Sequence, residues 1–269
     1  MNNKKLRNII KIDFKIGCTS YVYPADIVYN AERLAPIFDD IELVLFESDD
    51  VCNYPPKREI SNLLKIKKRF NCSYTIHFPI DKKAGFCDES DRNLFTNNIK
   101  KIVNLTKSLN PYAFILHLEG ITKNSSLKEI KQWKRNINEV LSKILSFKKV
   151  QTNKICIENL DYPIQLNEYF VDLNNFCYCI DIGHLWNMEE NYNIEKILKK
   201  YLSKIKVIHL HGVCNGSDHI SLKKNELSKV EELIKVLKSI KYNNLITFEV
   251  FNKKDTFESI ELFLSLWGK

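Results

Sequence analysis

The stretch KICIENLDYPIQLNEYFVDLNNFCYCIDIGH, residues 154–184, decides the fold. Lys154 to Glu158 and Phe176 to Asp181 are short apolar runs of strand length, and each closes on a carboxylate. Between them Ile164 to Val171 reads as a helix. Strand, helix and strand in so few residues make one β/α unit, whose crossover leaves the two strands parallel. Working outward, the same alternation fills the chain. Strands are predicted at Lys15 to Cys18, Ile41 to Glu47, Ser73 to His77, Tyr112 to His117, Lys206 to His211 and Leu245 to Val250. Helices are predicted at Asp26 to Phe38, Lys57 to Phe70, Asp91 to Leu109, Ser126 to Ser146, Ile194 to Ser203, Lys224 to Ile240 and Thr256 to Leu266. Eight strands alternating with eight helices, with no Ser/Pro/Gly-rich linker between halves, predict a single-domain (β/α)8 TIM barrel over residues 1–269. A doubly wound open sheet is the other fold with this alternation. Gly17-Cys18-Thr19-Ser20 carries no dinucleotide fingerprint, and no phosphate-loop motif occurs.

Composition narrows the class. Hydrophobic residues at 44% and charged residues at 28% suit a globular domain with a sizeable core. The polar, basic Met1 to Arg7 and the charge-interrupted Ile9 to Ile16 fit neither a signal peptide nor a membrane span, so the expected compartment is the cytoplasm and no membrane partner is expected. In that compartment the eight cysteines read as reduced thiols. No Cys-x-x-Cys spacing occurs, and Cys156, Cys177 and Cys179 read as small core residues deep in the barrel. The formal charge of +8 suits an anionic partner, but many lysines lie on helix-like segments, where they simply solvate the surface.

In a parallel barrel the functional groups gather at the C-terminal ends of the strands. His77, His117, His209 and His211 close predicted strands, His184 follows Asp181 by three residues, and His219 lies in the loop after the seventh strand. Carboxylates occupy matching places: Glu47, Glu158, Asp181 and Glu249. Strand parity groups them further, because alternate side chains share a face. Cys156 pairs with Glu158, Cys177 and Cys179 with Asp181, Val207 with His209 and His211, and Thr247 with Glu249, so that all these faces can point into the barrel. Convergent imidazoles and carboxylates are the donors a first-row divalent cation takes. Without a cation, acids buried together repel one another. Glu119, two residues past His117, is a candidate to support it.

With those residues in hand, the chain resembles the xylose-isomerase-like superfamily that includes the apurinic endonucleases, on Cys-Ile-Glu-Asn at 156–159, Asp-Ile-Gly-His at 181–184, His-Leu-His-Gly at 209–212 and Phe-Glu-Val at 248–250. The resemblance implies metal ligands at Glu158, Asp181, His209 and Glu249, with His77 and His117 sharing Glu158 with a second ion. A third ion would be held by His184 with Asp218 or His219; these two are adjacent here, where the endonuclease pattern has one residue between them, which leaves Asp218, His219 and His211 as alternatives. The implied cofactors are two or three divalent ions, zinc or manganese.

The stretches Gly17 to Asp26, Arg33-Leu-Ala-Pro36 and Ile41 to Ser48 look like the cobamide-remodelling phosphodiesterases of that superfamily. That resemblance implies a small-molecule corrinoid substrate, cleavage of the phosphodiester in its nucleotide loop, and catalytic roles for Glu158, Glu249 and Glu47. Tyr21 and Tyr23, just past the first strand, would pack against the corrin or its base, although Pro24 and an Asp26 helix N-cap also account for that loop. Sugar isomerisation or epimerisation on one metal, cleavage of abasic nucleic acid, and corrinoid binding without catalysis are the alternatives.

Overall fold

A computed structural model describes residues 5–6, 12–47, 52–80, 83–86, 88–147, 149–188 and 193–268. Eight parallel strands close into a barrel: β1 (Lys15–Thr19), β2 (Asp40–Val44), β3 (Ser73–His77), β4 (Phe114–Leu116), β5 (Ile155–Glu158), β6 (Cys177–Asp181), β7 (Ile205–Leu210) and β10 (Leu245–Phe248), with β10 hydrogen-bonded between β7 and β1. An antiparallel hairpin, β8 (Gly212–Cys214) and β9 (Ser217–Ile220), rises after β7. The TIM barrel read from the sequence is therefore the observed fold.

Around the barrel run α1 (Ile27–Leu34), α2 (Lys57–Phe70), α3 (Glu89–Thr106), α4 (Leu127–Leu145), α5 (Gln165–Asn174), α6 (Ile182–Asn187), α7 (Ile194–Tyr201), α8 (Leu227–Ser239) and α9 (Lys253–Trp267). Local chemistry sets their ends. Asp26 accepts a hydrogen bond from the Tyr29 N–H at 2.7 Å, so it is the N-cap of α1. Ser126 and Glu129 form a reciprocal capping box on α4. Asn71 and Asn175 end α2 and α5 in left-handed conformation, which asparagine tolerates better than most residues. Two elements are additions to the sequence reading: the short α6, which starts directly on the end of β6, and the β8–β9 hairpin.

The barrel separates two apolar layers. Between strands and helices lies the large core that includes Ile16, Ile41, Tyr74, Trp133 and Phe248. Inside the barrel Ala113, Ile115, Cys156, Cys179, Val207 and Leu245 form a separate small plug. Cys156 and Cys179 thus sit in the deep barrel, while Cys177 packs beside them half-buried; the seven cysteines among the described residues are free thiols. The inward parity read from the sequence is also observed: Thr247, His209 and Asp181 are register partners across β10, β7 and β6.

At the top of β5 the ladder is continued by a side chain. Asn159 donates to the Asp181 carbonyl at 3.0 Å and accepts from the Asp181 N–H at 2.8 Å, all buried. Asn159→Ala strands both backbone groups away from water, which costs about 1–3 kcal/mol for a buried unpaired polar group. The expected outcome is a correspondingly lower midpoint in urea unfolding followed by circular dichroism, and an unchanged midpoint would show that Asn159 does not hold the β5–β6 junction.

Candidate metal centre

The ends of β3 to β7 and β10 deliver their polar residues to one point above the inner plug. Glu158, only 1% exposed, is at its centre. His117 Nε2 lies 3.0 Å from Glu158 Oε2, His209 Nδ1 3.4 Å and His77 Nε2 3.6 Å from the same oxygen, and His184 Nδ1 is 3.8 Å from Oε1. Glu249 Oε2 adds a contact to His209 Nδ1 at 2.9 Å. Asp181 caps α6 through Oδ1, which accepts from the His184 N–H at 2.7 Å, and its Oδ2 lies 3.9 Å from His209 Nδ1.

Among the described residues five groups of donors lie close enough to share an ion: His77, His117 and Glu158; Glu158, Asp181, His209 and Glu249; Asp181, His184, His211 and His219; Glu158, Cys179 and His209; and Glu42, His77 and Glu249. Asp181 Oδ2, His209 Nδ1, His211 Nε2 and Glu249 Oε2 are buried without a hydrogen-bond partner, although opposite charges lie within 4 Å of them. Buried polar atoms left unpaired are rare and costly. His209 Nδ1 and Glu249 Oε2 lie 2.9 Å apart and His211 Nε2 lies 3.2 Å from Asp181 Oδ1 without hydrogen-bond geometry, a crowding of donors that a shared cation would relieve.

Glu42 is the residue the sequence reading missed. Fully buried on β2, it accepts from His209 Nε2 at 3.0 Å. With Nε2 donating to Glu42, Nδ1 is left to face Glu158, Asp181 and Glu249, the arrangement in which an outer carboxylate fixes the tautomer of a metal-ligating histidine. The signal was available: the polar alternation Asp40-x-Glu42 against apolar Ile41, Leu43 and Leu45 shows which face turns inward. Reading β2 as far as Glu47 assigned the wrong parity. The strand ends at Val44, and Glu47 turns outward to pair with Lys101 Nζ at 2.7 Å, its side chain 32% exposed. Glu47 is therefore not brought to the centre.

The other expected positions divide as follows. His211 stacks on His219 at 4.0 Å and brings Nε2 to 3.2 Å from Asp181 Oδ1. Gly183 makes room for that ring, since a Cβ there would lie 2.1 Å from His211 Cε1. His219 adopts φ +53° in the hairpin, and its Nδ1 lies 3.1 Å from Asp218 Oδ1. The Asp181–His184–His211–His219 group therefore includes His211 and His219, with Asp218 behind His219. Glu119 Oε1 lies 3.5 Å from His117 Nδ1 and also reaches Lys83. Tyr21 and Tyr23 do not enter the cavity. Tyr21 accepts from Asn53 at 2.7 Å and packs near Phe46, and Tyr23 packs edge-on to Tyr29.

Above the centre opens a cavity of about 880 Å³. Its floor carries His77, His117, Glu158, His184, His219 and Glu249, and its walls carry Ile80, Phe86, Ile121, Leu160, Met188 and Phe251. Cavities of this size hold drug-sized ligands. Among the described residues no helix is long and apolar enough to cross a membrane.

The chain belongs to the xylose isomerase-like TIM barrel family, whose model matches residues 31–266. Among individual proteins it is similar to the uncharacterised protein MJ1311 of Methanocaldococcus jannaschii, 25% identical over 93% of this chain and 88% of that protein. Solved structures with the same fold include a D-tagatose 3-epimerase-like protein, at 21% identity and TM-score 0.74 over 94% of this chain and 97% of that one. D-psicose 3-epimerase from Clostridium cellulolyticum H10 follows at 16% identity and TM-score 0.66, over 95% and 96%.

Electrostatics ties the centre to pH. Burial works against the Glu158 and Glu249 carboxylates, yet His209, aided by His117 at Glu158 and by His219 at Glu249, holds both well below the ordinary carboxylate range. Burial likewise opposes charge on His117 and His219, but Glu158 and Glu119 lift His117 to about 10, and Glu249 and Asp218 lift His219 to about 9. In the metal-free protein these imidazolium–carboxylate pairs contribute stability that is complete below the unfolded histidine pKa of about 6.5 and is lost as pH rises through the raised values. A metal must displace those same protons. Adding manganese or zinc to the metal-free protein near neutral pH is therefore expected to release protons, measurable by titration calorimetry in buffers of different ionisation enthalpy. The gain in melting temperature on adding metal should widen with rising pH; a gain that shrinks would contradict ligation by these histidines.

Proposed function

We propose that this protein is a divalent-metal-dependent phosphodiester hydrolase acting on the nucleotide loop of a cobamide, releasing cobinamide phosphate and an α-ribazole-type nucleoside. The observation that carries the hydrolytic reading is the second donor group: His77 and His117 converge on Glu158 beside the Glu158–Asp181–His209–Glu249 quartet. Proton transfer on a sugar needs one metal and the quartet alone. Two further histidines sharing a carboxylate provide for a second ion next to the first, the arrangement that clamps both ends of a displaced phosphodiester.

Bound ions would supply Lewis-acid polarisation of the phosphoryl group and activation of water at neutral pH. The chain's own residues do the rest. Glu158 stays ionised and shared between the two donor groups, held by His117 and His209. Glu42 keeps the His209 ring oriented, and the closed inner plug beneath denies water a path from the other end of the barrel. The corrinoid substrate rests on the sequence likeness of the first two β/α units. The wide, partly apolar cavity is in keeping with it, since a monosaccharide needs far less than about 880 Å³. The basic net charge suits an anionic ester.

Ketose epimerisation is the second reading, favoured by the likeness to the D-tagatose 3-epimerase-like fold and by the proximity of Glu158 and Glu249 in one donor group. Metal-loaded protein incubated with adenosylcobalamin should yield cobinamide phosphate by mass spectrometry, and His117→Ala or Glu158→Gln should lower turnover by about 100-fold or more. D-fructose converted to its 3-epimer, at a rate indifferent to His77→Ala and His117→Ala, would replace hydrolysis with epimerisation. Cleavage of an abasic duplex in place of the corrinoid would keep the chemistry and change the substrate.

A further inference from the structure

Each of the four histidines around Glu158 has two ring nitrogens, and an ion takes only one of them. In three of the four the other nitrogen has a fixed acceptor. His77 Nδ1 lies 2.8 Å from the Phe78 carbonyl, His184 Nδ1 3.0 Å from the Asn159 carbonyl, and His209 Nε2 3.0 Å from Glu42. His117 is the fourth. It turns Nε2 to Glu158 Oε2 at 3.0 Å, the oxygen that His77 Nε2 approaches at 3.6 Å, so Nδ1 is its outer nitrogen. That Nδ1 lies 3.5 Å from Glu119 Oε1.

Glu119 stands past the end of β4 at Leu116, on a loop at the cavity wall, with its side chain 22% exposed. Neighbouring segments hold that loop in place. The Gly85 N–H donates to the Glu119 carbonyl at 2.9 Å, and Trp133 Nε1 donates to the Leu118 and Glu119 carbonyls at 3.0 and 3.2 Å. From the helices behind, Asn136 Nδ2 donates to the Gly85 and Phe86 carbonyls, each at 3.0 Å, and Arg92 donates to the Phe86 carbonyl at 2.9 Å. The two backbones meet at glycines because nothing larger fits. A Cβ on Gly85 would lie 2.3 Å from the Glu119 carbonyl oxygen, and Gly120, at φ +121°, would carry one 3.0 Å from Gly85 Cα. Lys83, on the same segment as Gly85, brings Nζ to 3.6 Å from Glu119 Oε2 and leaves Oε1 to His117.

We infer that Glu119 is a positioning residue for a metal site at His117: its Oε1 accepts from the His117 Nδ1–H and so keeps Nε2 aimed at an ion shared with His77 and Glu158. The inference rests on the reading that His77, His117 and Glu158 hold an ion, and it names the group that sets the affinity of that site. Glu119 does for His117 what Glu42 does for His209, from a braced loop instead of a strand. Removing an outer carboxylate of this kind weakens metal binding by about 10–100-fold.

The test is zinc binding to the full-length protein, which does not depend on turnover. Competitive titration against a chromophoric chelator is expected to show at least two ions in the wild-type protein. Glu119→Ala should weaken one of them by about 10–100-fold, the same one that His117→Ala weakens, and leave the remainder within about threefold. Retention of that remainder shows that the variant is folded. Glu119→Gln keeps a carbonyl acceptor for the Nδ1–H and should bring the weakened ion back to within about threefold of wild type. Wild-type affinities in Glu119→Ala, or a Glu119→Gln protein as weak as Glu119→Ala, would overturn the role of Glu119 and leave the two-ion site standing. A wild-type protein that binds one ion, indifferent to His117→Ala, would remove the two-ion reading and the role of Glu119 with it.

Discussion

A carboxylate that is 1% exposed at the end of a barrel strand has to be neutralised, and the neutralisation of Glu158 organises this molecule. An ion of that size loses most of its hydration when buried, at a cost of several kcal/mol even after the protein relaxes. Four histidines from β6–α6, β7 and the ends of β3 and β4 approach it within 4 Å. A single fold supplies them all because a closed parallel barrel brings every strand's C-terminal end to one rim. No local segment of the chain could do so alone.

The same constraint explains the interior beneath. A floor of charge is tenable only if it is not wetted from below, and the strands answer with small, tightly fitting side chains: Ala113, Ile115, Cys156, Cys179, Val207 and Leu245. Cysteine serves here as a small apolar residue, and burial pushes the Cys156 and Cys179 thiols well above their ordinary range, which keeps them protonated and unreactive. Glu42, set among these layers, is tolerated because His209 stands 3.0 Å from it. The candidate metal centre and the barrel packing are one arrangement, with the His209 ring joining the inner carboxylate Glu42 to Glu158 and Glu249.

The fold and most of the centre were legible because both rest on periodicity. Strand parity sets Glu158, Asp181, His209 and Glu249 on strand faces that can turn inward, the family resemblance singles them out, and the structure brings them together. Parity fails where a strand's end is misjudged. The apolar run Ile41 to Phe46 continues past the barrel, so its length hid the point at which the chain leaves the sheet, and Glu47 was read in place of Glu42. Loop residues are harder for a different reason. The position of His219 depends on the hairpin and on a positive φ that no local rule assigns to histidine, and the aromatic residues after β1 serve their own loop, Tyr21 with Asn53 and Tyr23 with Tyr29.

Within this family the barrel does not choose the reaction, since one fold hosts many chemistries and function lies in the site built on it. In this chain the site is built at two levels. The floor is set by strand ends, where His77 and His117 form with Glu158 a second candidate donor group beside Glu158, Asp181, His209 and Glu249. The walls are set by the segments after the strands, where Ile80, Phe86 and Phe251 present apolar surface beside the polar Lys83, Thr122 and Asp161. The two levels vary independently, because strand ends are held by the ladder and wall residues are held only by their own loops.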